Sequence, residues 1–169
     1  MSDWKKQLQG YKDKQGNRNQ PHQGKRDKND MGYQRYTTPG LPDGYLSKGY
    51  FDDQGCLLEI LLTETASKIA KSFGSNMNNS QLRRFYGHAK TAEKSYAFSG
   101  DERKFINDIK ALDSFVAEAK GKDKVPQIFY DFINVNVAKA NSLKDIKQGF
   151  LPHFQAVVAY FTYHYPKSK

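Results

Sequence analysis

The stretch Asn78-Asn79-Ser80-Gln81-Leu82-Arg83-Arg84-Phe85-Tyr86-Gly87-His88-Ala89-Lys90, carried on to Lys94 and Tyr96, decides the fold class of this 169-residue chain. Leu82, Phe85, Tyr86, Ala89 and Tyr96 recur at three- and four-residue spacing, drawing an apolar stripe down one side of a helix. Asn78 with Gln81 three residues on reads as a capping box at its start. At 100° per residue, Arg83, Gly87, Lys90 and Lys94 fall together on another flank, a narrow basic strip with a glycine inside it. One side is built to join a core, and the other to meet something negative and extended.

Working outward, the neighbouring segments follow the same period. Leu58, Leu61, Leu62, Thr65, Ile69 and Phe73 predict a helix from Cys56 to Phe73, stopped by Gly74. Lys68 and Lys71 lie in its last turns, where cations suit the helix dipole. A third helix starts at the cap Asp101, buries Phe105, Ile109, Leu112, Val116 and Ala119, and ends at Gly121; Arg103, Asn107, Lys110 and Ser114 share its opposite face. Pro126 opens a fourth, with Phe129, Phe132, Ile133 and Val137 facing inward. Ser142 with Asp145 caps a fifth that runs to about Tyr165 and is expected to kink at Pro152. From Tyr50 onward there is no sustained period-two alternation. The fold class is therefore all-α, a compact bundle of about five helices around one core.

The first 45 residues read differently. Up to Gly49 there is no valine or isoleucine, and ten lysines and arginines stand against five acids. Such a segment cannot bury enough apolar surface to offset the entropy of ordering it, so residues 1–45 are expected to form a disordered basic tail and 46–169 the helical domain. Trp4, Tyr11, Tyr33 and Tyr36 are interleaved with its basic groups, a composition suited to stacking on unpaired bases. For the whole chain, 27 Lys and Arg against 18 Asp and Glu give a net charge of +9, favouring nucleic acid or another acidic partner. The lone Cys56 excludes an internal disulfide and a Cys-rich zinc site, and reads as a small core residue among leucines. No apolar run approaches the roughly 20 residues of a membrane span. A soluble, cytoplasmic protein is expected.

Nothing in the chain has the pattern of an enzyme with a metal or nucleotide cofactor. His22, His88, His153 and His164 form no HExxH pair, and neither a phosphate-binding GxxxxGK[ST] loop nor a GxSxG elbow is present. The basic strip instead suits a phosphate backbone. Arg83 and Lys94 are roughly 16 Å apart along the axis, the reach of two to three phosphates. Arg83, Arg84, Lys90 and Lys94 are the candidate RNA contacts, with Lys68, Lys71 and Arg103 beside them. Contacts of this kind carry charge and spacing rather than base identity.

Four ordered stretches resemble the small subunit of the type III-A CRISPR effector, the Csm small-subunit family. They are Tyr50-Phe51-Asp52 followed by Glu59, Leu61-Leu62-Thr63 and Ala66 to Ala70; Ser80-Gln81-Leu82-Arg83-Arg84-Phe85-Tyr86; Lys94-Ser95-Tyr96-Ala97; and Ala156-Val157-Val158-Ala159-Tyr160-Phe161. The likeness spans about residues 49–162 and leaves out the tail, and Gln155 replaces an acidic residue often found there. The resemblance implies a non-catalytic helical subunit, without a cofactor, that stacks along an RNA-guided antiviral ribonucleoprotein. Its implied partners are guide RNA, target RNA, the backbone ribonuclease subunits, the large polymerase-like subunit and further copies of itself. An alternative reading comes from Arg83 and His88, which resemble the Arg…His motif of HEPN-type ribonucleases. Here Arg84 replaces the usual polar residue after the arginine, and the pair lies about 140° apart on an ideal helix. A third reading is a protein–protein bundle whose basic face docks an acidic partner.

Overall fold

A computed structural model describes residues 40–167. The tail expected over 1–45 lies outside the described residues except for its last six. Among the described residues there are seven α-helices: α1 (Glu59–Leu62), α2 (Glu64–Phe73), α3 (Asn79–Ser99), α4 (Glu102–Lys110), α5 (Leu112–Gly121), α6 (Gln127–Lys139) and α7 (Leu151–His164). They make five helical stretches, because α1 and α2 part only at Thr63, and α4 and α5 only at a tightened turn at Ala111. No strand forms among the described residues; Phe51 and Leu57 make one isolated antiparallel bridge. The all-α bundle expected from the sequence is the fold found.

Helix α7 is the centre. It packs most extensively on α2, then on α3 and α1, while α6 lies against α5. Where the helices meet, Phe73, Phe85, Phe129, Phe132 and Phe154 interlock, mostly edge to face or tilted, with centroids 5.0 Å apart for Phe85–Phe129 and 5.4 Å for Phe132–Phe154, while Phe129 and Phe132 stack. Each ring is buried in the core and removes roughly 1.5–3 kcal/mol worth of apolar surface from water.

A chain of buried polar groups runs through this core. Tyr50 Oη donates to Asn136 Oδ1 at 3.0 Å, and Asn136 Nδ2 donates to Tyr45 Oη at 2.8 Å. Tyr45 Oη in turn meets His153 Nε2 at 2.7 Å, and His153 Nδ1 meets the Leu61 carbonyl at 2.5 Å. A neutral His153 with its proton on Nδ1 satisfies both contacts, donating to Leu61 and accepting from Tyr45. The chain also accounts for the break at Thr63, which has φ −122° and ψ −100°. The Leu61 carbonyl is turned to the histidine rather than to the next helical turn. Tyr45, placed in the tail by the sequence division, is thus joined to α6 and α7.

Pro152 does not produce a simple kink. The turn before it, Asp145–Phe150, is a π-helix, and the extra residue accommodates a ring that cannot fit under a regular ladder. In that turn Gly149 lies directly beneath Tyr50: a Cβ there would stand 2.6 Å from the Tyr50 Cγ. Ser142 and Asp145 cap this helix reciprocally, as their spacing predicted. Two expectations fail. Cys56 is exposed in the turn before α1 rather than buried, since the helix starts three residues later. Lys110 is not on a solvent face; its ammonium donates to the Val137 carbonyl and to Asn141 Oδ1, closing the end of α6.

Burial holds the His153 imidazole down to a pKa of about 4, against an ordinary 6.5. The unfolded chain therefore takes up a proton near pH 6.5 that the folded chain refuses until about pH 4, and stability falls as pH drops through that window. Urea unfolding at pH about 4.5 should show roughly 2 kcal/mol less stability from this group than at pH 7. His153→Gln should be less stable at pH 7 and show a shallower loss across the same window.

Candidate nucleic-acid interface

Helix α3 carries the candidate interface. Its start is fixed locally: Asn78 Oδ1 accepts from the Gln81 amide at 2.8 Å, and Gln81 Oε1 accepts from the Asn78 amide at 3.0 Å. Its end is fixed by Gly100, which takes the left-handed conformation (φ 65°) and returns its amide to the Tyr96 carbonyl at 2.8 Å. The 21 residues between span roughly 32 Å without an irregular turn.

Leu82, Phe85, Ala89 and Ala92 are buried on one side. Tyr86 sits half-buried with its ring 5.4 Å from Phe154, and Tyr96 stacks at 5.1 Å on Phe105 of α4. The opposite side, with Arg83, Gly87 and Lys94, is exposed. No described carboxylate lies within ion-pair distance of Arg83, Arg84 or Lys94. Gly87 stands in open space, with nothing within 4 Å of where a Cβ would be.

The strip is not uniform. Lys90 is half-buried and bonded to Glu93 on the same helix, and that hydrogen bond raises the pKa of its ammonium. Its charge is partly spoken for. Arg84 lies on the next flank, close enough to Glu118 of α5 to help lower the pKa of that carboxyl, whose chief cause is its hydrogen bond to Lys122.

The outlying candidates do not extend the strip on its own helix. Lys68 and Lys71 are exposed on α2, which packs chiefly against α7, and Lys68 is paired with Glu64 at 2.5 Å. Arg103 is exposed in the first turn of α4, just beyond the end of α3. Arg83 and His88 do not converge. With no irregular turn between them they stay on separate flanks, and His88 leans on Phe115 of α5 at 5.1 Å.

The structure adds residues that the periodicity passed over. A groove of about 470 Å³ opens between α3 and α5, lined by Arg84, His88, Phe115, Glu118, Lys122 and Lys124 among others. Phe115 is 42% exposed there. The signal was present in the sequence, since Phe115 falls off the Phe105–Ile109–Leu112–Val116 stripe and so had to face outward. Among the described residues no helix is long and apolar enough to cross a membrane, and no cluster of three His, Cys, Asp or Glu is placed to hold a metal.

Compared with known families, residues 59–167 match the model of the family described as Csm2 Type III-A. No curated protein and no solved structure matches.

Because the space over Gly87 is empty, Gly87→Ala should add helix propensity without a clash. An increase of roughly 0.5–1 kcal/mol in unfolding free energy is expected from urea denaturation.

Proposed function

The chain belongs to the Csm2 Type III-A family, the small subunits of the type III-A CRISPR complex, and we propose that it serves there as a non-catalytic RNA-binding subunit. The observation that carries this reading is the exposed, acid-free row of Arg83, Gly87 and Lys94 on the outer side of α3. A phosphate backbone is the repeating anion that such a row fits, and the open glycine lets sugar and phosphate approach the helix. Arg84 and Lys90 flank the row and act with it. Arg103 stands beside its end, while Lys68 and Lys71 offer a separate, weaker contact on α2. Binding of this kind is largely independent of base sequence and sensitive to salt.

On this reading the guide and target RNA are the ligands. The backbone ribonuclease subunits, the large polymerase-like subunit and further copies of this chain are the protein neighbours, in the cytoplasm and in antiviral defence. The separate flanks of Arg83 and His88 favour it over a ribonuclease built on that pair.

Arg83→Glu with Lys94→Glu should weaken RNA binding and leave the thermal unfolding midpoint nearly unchanged, since both side chains are exposed. The slope of log K against log salt should shrink by about 1.4, from two lost single-strand phosphate contacts. Unchanged affinity and slope would remove the assignment. Metal-independent RNA cleavage abolished by His88→Ala would install the ribonuclease reading in its place.

A further inference from the structure

The groove between α3 and α5 combines three features that a phosphate contact alone does not require. Its wall holds an outward-facing aromatic pair, His88 and Phe115, with centroids 5.1 Å apart and planes 39° apart. Its rim carries Arg84, Lys122 and Lys124 against one acid, Glu118, which is already bonded to Lys122. Its end is fixed, because Gln81 Nε2 donates to the Lys124 carbonyl at 2.9 Å and ties the start of α3 to the loop before α6. A cationic rim around a flat aromatic surface fits a ligand that is anionic at one end and planar at the other.

The groove also adjoins the cationic row. Arg84 follows Arg83 by 100° on a helix about 10–12 Å across with its side chains, so the two flanks are about 8 Å apart. A single nucleotide can place its phosphate on one and its base on the other. We propose that this groove receives one unstacked nucleobase of an RNA strand whose phosphates run along Arg83 and Lys94, the base lying against the outer face of the Phe115–His88 pair. The inference rests on the RNA-binding reading above and adds to it a base subsite. His88 and Phe115 are packed too closely to admit a ring between them, so the base stacks on one face only. Such stacking tolerates every base and favours the larger purine surface. An acidic peptide would satisfy the rim, but it has no planar group for the aromatic pair.

The test uses the full-length chain and two single-stranded RNA oligonucleotides of equal length, one bearing bases throughout and one abasic ribose-phosphate. Phe115→Ala should bind the base-bearing strand about five- to a hundredfold more weakly and the abasic strand as the parent does. Phe115→Tyr should bind both like the parent. A 2-aminopurine probe in the base-bearing strand should be quenched by the parent chain and by Phe115→Tyr but not by Phe115→Ala. Phe115 is 42% exposed, so circular dichroism melting should show the alanine variant folded. If Phe115→Ala leaves the base-bearing strand bound as before while the Arg83→Glu, Lys94→Glu double variant weakens it, the base subsite is wrong and the backbone reading stands. Equal weakening toward both strands would also overturn the base subsite. If the parent chain binds neither strand, both readings fail. Should Phe115→Ala spare RNA but lose the other subunits after RNA is digested, the groove is a protein interface instead.

Discussion

The polar chain from Tyr50 through Asn136, Tyr45 and His153 to the Leu61 carbonyl fixes how the bundle is assembled. An unpaired buried donor or acceptor costs about 1–3 kcal/mol, so each of these groups holds its neighbour to a narrow geometry. The links join the turns before α1, the end of α1, the last turn of α6 and the start of α7. The Tyr50 ring seals the arrangement by lying on Gly149. With α7 held this way, Phe154 offers its ring to Tyr86 and Phe129, and α3 is laid down with one side committed. The outward direction of Arg83 and Lys94 is thus a distant consequence of a hydrogen-bond chain that touches neither.

Charge on the bundle surface is sorted as much as it is abundant. Lys68, Lys90, Lys104 and Lys122 each meet a carboxylate three or four residues away on the same helix or at its end. Pairs this exposed add only a few tenths of a kcal/mol, so stability does not explain them well. Their effect is to decide which cations remain available. Helix α3 holds four cations and one acid, Glu93, and has no acid in its first turn. Arginines near a helix N-terminus oppose the macrodipole, a small cost that the capping box offsets. That arrangement suits a helix whose outer side meets an anion.

Local signals in the sequence were legible wherever the controlling residues lie within one or two turns of each other. The apolar stripe of α3, its Asn78–Gln81 cap, the Asp101 cap of α4 and the Ser142–Asp145 cap before the π turn all depend on offsets of three or four residues. Helix α5 ends at Gly121, where the sequence puts its stop. In the turn beyond it Asp123 takes the left-handed conformation, a choice open to aspartate that apolar spacing does not mark. Cys56 and Lys110 were misread for a related reason: leucines beside a cysteine do not say where the helix begins, and a lysine on a polar helix face does not announce a carbonyl from another helix.

By itself, then, the sequence determined an all-α domain, its five helical stretches, the apolar side of each and the row of Arg83, Gly87, Lys90 and Lys94, because 3.6-residue periodicity and capping are near-neighbour physics. Tertiary structure alone decided that Lys110 closes the end of α6 and that Phe115 meets His88 to form the groove wall. It also decided the break at Thr63, since the Leu61 carbonyl and His153 are 92 residues apart in sequence. Contacts at that separation depend on how helices cross, and the crossing is set by the whole core rather than by any one stretch.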